Sequence, residues 1–96
     1  MSFISIDRTL TILQHGGLVV QNPEGNVWVV DLLRHGKQRE YHRIGGLSVY
    51  TFRFFKRYGV IREVPEGQRI GRGCIEYVIA RRNDNIDDPP PGGKGA

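Results

Sequence analysis

A single cysteine, Cys74, leaves the chain with no partner for an intrachain disulfide, and that usage suits a reducing compartment. No apolar run approaches the ~18 residues that a membrane-crossing helix needs, and no signal peptide is visible. The expected location is therefore the cytoplasm. Carboxylates are scarce in the middle of the chain. From Arg34 to Arg57 only Glu40 stands against seven bases, Arg34, Lys37, Arg39, Arg43, Arg53, Lys56 and Arg57. His15, His35 and His42 are isolated, with no cysteine at ligand spacing, so neither a metal site nor another cofactor is expected. The glycines near Arg72 lack the Lys-Ser/Thr pair and the following helix of a P-loop.

The chain has 96 residues, enough for one domain. From Asn83 it reads NDNIDDPPPGGKGA, too poor in apolar residues to offset the entropy of ordering, so residues 83–96 are expected to form an acidic, Pro/Gly-rich unfolded tail. Residues 1–82 are the expected folding unit. A core of that size supplies ~3–5 kcal/mol, and dimerisation would add to it. Residues 1–82 hold 13 Lys/Arg against 7 Asp/Glu, a net +6, while the tail is net −2 and the whole chain +4. That surplus points to an anionic partner, DNA or an acidic protein surface.

Apolar spacing predicts a first helix over residues 5–15, with Ile6, Leu10 and Leu13 on one face, Ser5 as N-cap and Gly16 as left-handed terminator. Residues 18–31 read as a hairpin, LVVQ and VWVVD flanking Asn22-Pro23-Glu24-Gly25, with Trp28 directed to the core. Residues 31–46 are ambiguous. Leu32 and Leu33 continue the strand, His35-Gly36-Lys37 turns, and 39–44 returns as an edge strand; the alternative is a short helix over 37–43. Residues 48–58 form a second helix, capped by Ser48 and closed by Gly59. It places Thr51, Phe52, Phe55 and Tyr58 inward and Tyr50, Arg53, Lys56 and Arg57 on the other side, with Phe54 between. Residues 61–64 and 75–80 are paired strands joined by a basic, glycine-rich loop containing Arg69 and Arg72.

This order, a capped helix, then Gly59-Val60-Ile61, then a hairpin ending on an aromatic strand with Tyr77, resembles the C-terminal half of a winged helix-turn-helix domain. The resemblance covers residues 47–82, with Phe55 four positions before the glycine. It implies an α+β fold: a small winged-helix-like domain with two short helices, an N-terminal β-hairpin or meander and a C-terminal β-wing hairpin. It further implies that residues 48–58 are the recognition helix, that Tyr50, Arg53, Lys56 and Arg57 face DNA, and that Arg69 and Arg72 sit at the wing tip. Arg39 and Arg43 join these as candidate phosphate contacts. The family normally has two helices ahead of the recognition helix. Here a hairpin and a basic stretch take that space.

Leu33-Arg34-His35-Gly36 is similar to the Arg-His-Gly signature of the histidine phosphatases, whose histidine attacks phosphorus at the end of a buried strand. That chemistry needs a second histidine, another arginine and an acid from distant parts of a larger domain. His42 and Arg43 are too close in sequence to be that set, so a turn is expected. No convergent nucleophile or acid–base set remains, and the chain is not expected to be an enzyme. The leading expectation is a small non-enzymatic nucleic-acid-binding protein, possessing the character of a transcriptional regulator. The alternative is a protein-interaction or inhibitor module with an acidic partner, using the 39–44 edge strand or exposed aromatics such as Phe54. Cys74 reads as a small hydrophobe at a strand start.

Overall fold

Ser5 opens helix α1 (Ile6–Gln14) in the computed structural model, which describes residues 3–80. Its hydroxyl accepts the Arg8 N–H at 3.2 Å. The helix ends in a Schellman turn, with Gly17 N–H donating to Ile12 O at 2.9 Å and Gly16 N–H to Leu13 O at 3.2 Å. Gly16 takes the positive φ of that turn, +100°. Gly17 is needed for close approach instead. A Cβ there would collide with the Ile12 side chain and lie 2.7 Å from the Val30 carbonyl. This contact seats the last turn of the helix on the sheet. Thr9, Ile12 and Leu13 are buried and Leu10 is half-buried, while Ile6, expected on the inner face, is exposed in the first turn.

Helix α2 (Val49–Arg57) repeats the design. Ser48 Oγ accepts the Tyr50 N–H at 3.2 Å, Val60 N–H donates to Phe55 O at 2.8 Å, and Gly59 sits at φ +68°. Phe52 and Phe55 are buried, and Leu47 joins their cluster as a hydrophobic staple would. Tyr58 departs from the expected inner face. It is the C-cap residue, and its ring turns outward onto Phe54, with centroids 4.6 Å apart.

Five antiparallel strands form one sheet: β1 (Leu18–Gln21), β2 (Val27–His35), β3 (Gln38–Gly46), β4 (Ile61–Glu63) and β5 (Ile75–Ile79), in the order β3-β2-β1-β5-β4. The first three are a meander. The short helix considered over 37–43 does not form: Gly36 turns at φ +63° and Gln38 pairs with His35. β4 and β5 pair as expected. They are not the separate hairpin that local sequence predicts, because β5 also pairs with β1, Val19 opposite Tyr77. The fold is thus α+β, with two helices and a five-stranded antiparallel sheet. The expected unfolded tail at 83–96 and the last residues of the 1–82 unit lie outside the described residues.

The sheet is packed on both sides. Val19, Val29, Ile61, Tyr77 and Ile79 meet both helices through Ile12, Leu13, Phe52 and Phe55. Phe52 and Tyr77 stack edge to face at 5.1 Å. Leu18, Val20 and Val30 form a smaller cluster on the opposite face with the half-buried Trp28, Cys74 and Val78. Trp28 therefore packs on this second cluster rather than the main one. β2 pairs with β1 only over Val27–Val30 but follows β3 to His35, so the far half of β2–β3 is a two-stranded arm. No helix among the described residues is long and apolar enough to cross a membrane.

Candidate nucleic-acid interface

Burial of Phe52 and Phe55 turns Tyr50, Arg53 and Arg57 outward on α2, with Tyr50 82% exposed. Arg53 and Arg57 are one turn apart, and the helix contains no carboxylate. Among the described residues, neither arginine forms an ion pair. Lys56 is exposed as well but leans back over the core edge, its Nζ 5.2 Å from the Phe52 ring centre and 5.5 Å from that of Tyr77. Lys56 and Arg57 in the last turn also complement the negative end of the helix dipole. Beside this basic face stand two aromatic rings, Phe54 at 52% and Tyr58 at 64% exposure. Tyr58 borders a hollow of about 310 Å³ with Gly59, Val60 and Ile79.

The β4–β5 loop is pinned at its root rather than loose. Arg69 Nε donates to Val64 O at 3.0 Å and its Nη2 meets Glu63 Oε2 at 2.8 Å, which leaves its side chain only 16% exposed. Glu76 anchors the other side. Its two carboxylate oxygens accept the Ile70 N–H at 2.9 Å and the Gly71 N–H at 2.8 Å, and the residue is 4% exposed. Strand alternation alone marks Glu76 as an outward-facing charge, so sequence reasoning missed its role. The only available signal was an acid set among Ile75, Tyr77 and Val78, close to an amide-rich glycine loop. Of the two loop arginines, Arg72 remains exposed beside Gly73, which turns at φ +85°.

Arg39 and Arg43 are not brought to α2. β3 residues alternate between faces, and the Arg43 guanidinium lies 4.3 Å over Trp28, on the sheet side opposite the helices. Arg39 borders a cleft on that side with Leu18, Leu32 and Val78, roofed by Val64, Gln68 and Ile70 of the β4–β5 loop. The expected contact residues on α2 and β3 thus divide into two surfaces. Tyr50, Arg53, Lys56 and Arg57 form one; Arg39 and Arg43 belong to the other. The Arg34-His35-Gly36 run is an exposed hairpin turn, with His35 Nε2 3.2 Å from Glu40 Oε1. Comparison with protein-family models, with characterised proteins and with solved structures finds no match to this chain.

Proposed function

We propose that the protein is a non-enzymatic nucleic-acid-binding module of winged-helix-like type that lays the outer face of α2 against duplex DNA. The observation that carries this reading is the shared exposure of Tyr50, Arg53 and Arg57 on a helix without a carboxylate. Arginine offers forked N–H donors to phosphate oxygens or to the guanine edge. Nine residues of helix span ~14 Å, short enough to lie within a major groove. What supports the winged-helix resemblance is element order, α2 followed by the β4–β5 pair with Tyr77; the exposed Arg72 of the connecting loop is a further candidate phosphate contact. Arg69 serves the loop's own structure. Leu47, buried in the main core cluster at the β3–α2 joint, anchors the start of the helix. One such module buries little surface, which favours a homodimer on paired half-sites. The single cysteine suits a reducing compartment, which supports a cytoplasmic setting for this activity.

Fluorescence anisotropy on a labelled random duplex tests the reading with the double variant Arg53→Ala/Arg57→Ala. The slope of log K against log salt should become shallower by about 2, at about 0.9 per lost phosphate contact. An unchanged slope and affinity would contradict it. A protein partner is the second reading, favoured by the exposed Phe54–Tyr58 pair beside the hollow at Gly59. Aromatic residues with arginine are characteristic of protein interface cores. Tight binding insensitive to salt would support it.

A further inference from the structure

The β2–β3 hairpin sorts its charges by face. Alternation puts Arg39, Tyr41 and Arg43 on one side of β3 and Gln38, Glu40 and His42 on the other. The register sets Arg34 opposite Arg39, Leu33 opposite Glu40 and Asp31 opposite His42. The three arginines therefore share one face, and both carboxylates of the hairpin take the other. Glu40 is engaged there, with Oε1 3.2 Å from His35 Nε2 and 3.7 Å from His42 Nε2.

Like charges directly opposite each other repel across a strand pair. Arg34 and Arg39 hold that arrangement at the border of a cleft of about 280 Å³, beside Leu32, Tyr41 and Ile70. Glu76 also lines the cleft, but both of its oxygens are held by the loop N–H groups. An anion between the two guanidinium groups would relieve the repulsion. Farther along β3, the Arg43 guanidinium carbon lies 4.3 Å over the Trp28 ring, and a guanidinium so placed has N–H donors to offer another acceptor.

We propose that this face is a second nucleic-acid surface, distinct from α2, that takes a single strand along β3. Arg34 and Arg39 share one phosphate in the cleft, Arg43 takes another, and an unpaired base lies on Tyr41. Arg39 and Arg43 are four residues apart, a reach of ~13 Å along the strand. Arginines interleaved with aromatic rings suit unpaired bases, whose flat faces are free to stack. Because the two surfaces lie on opposite sides of the sheet, the protein would hold a duplex and a single strand together.

The test is anisotropy of a labelled oligothymidylate at low salt. Wild type binds. Arg34→Ala/Arg39→Ala weakens binding by about tenfold or more, a larger loss than Arg53→Ala/Arg57→Ala produces on the duplex-facing helix. Tyr41→Ala weakens it by about tenfold and Tyr41→Phe does not. The thermal midpoint of Arg34→Ala/Arg39→Ala stays at or above that of wild type, because a repelling pair is removed, so a folding failure is recognisable. Three results would overturn the proposal: no wild-type binding, full binding by Arg34→Ala/Arg39→Ala, or displacement by polyglutamate as readily as by unlabelled oligothymidylate.

Discussion

Glu76 ties the β4–β5 loop to the sheet through two charge-assisted hydrogen bonds, while Arg69 ties its other end to Glu63 and Val64. Removing the Glu76 carboxylate leaves two partly buried N–H groups without an acceptor. Glu76→Ala should therefore lower the unfolding free energy by about 1–3 kcal/mol. Glu76→Gln should cost less, since its carbonyl oxygen still accepts one N–H; urea denaturation of both variants measures the difference. Two glycines separate steric from conformational cost. Nothing lies near a Cβ built at Gly59, so Gly59→Ala should cost only the positive φ, about 1–2 kcal/mol. Gly17→Ala has no positive φ to hold but strikes Ile12 and the Val30 carbonyl. It should lose about 1–3 kcal/mol through displacement of α1, visible as altered chemical shifts at Ile12 and Val30.

The two helices were legible at the level of elements, because their signals are local. Ser5 and Ser48 cap, Gly16 and Gly59 terminate, and Phe52 and Phe55 mark an inner face. The helical period failed at the ends, where Ile6 and Tyr58 leave the face that it assigns them. The hairpins were legible from their turn residues, but the joining of β1 to β5 was not. That pairing links opposite ends of the domain, and no local pattern encodes it. The same limit hid the candidate site's division. The run of bases from Arg34 to Arg57 is continuous in sequence, yet the alternation of β3 and the position of α2 send its halves to opposite sides of the sheet. Exposure of Phe54 supplies a direct comparison between the two functional readings. Phe54→Ser should leave duplex affinity unchanged if α2 reads DNA through Arg53 and Arg57. If a protein surface is the partner, the same variant should abolish capture.

The whole molecule combines a thin core with a basic exterior. Phe55 is 1% exposed and sits where α2 meets the sheet. Phe55→Ala should cost about 3–5 kcal/mol, comparable to the entire ~3–5 kcal/mol expected of a domain this small. Circular dichroism at room temperature should find that variant largely unfolded. The net charge of +6 over residues 1–82 makes association with any polyanion sensitive to ionic strength. The salt dependence of duplex binding, followed by anisotropy from low to moderate salt, is the most direct test of the central claim. A slope of log K against log salt of about −3 or steeper is predicted, reflecting several neutralised phosphates at about −0.9 each. Absence of duplex binding at low salt would contradict it and recast the α2 face as a docking surface for an acidic protein.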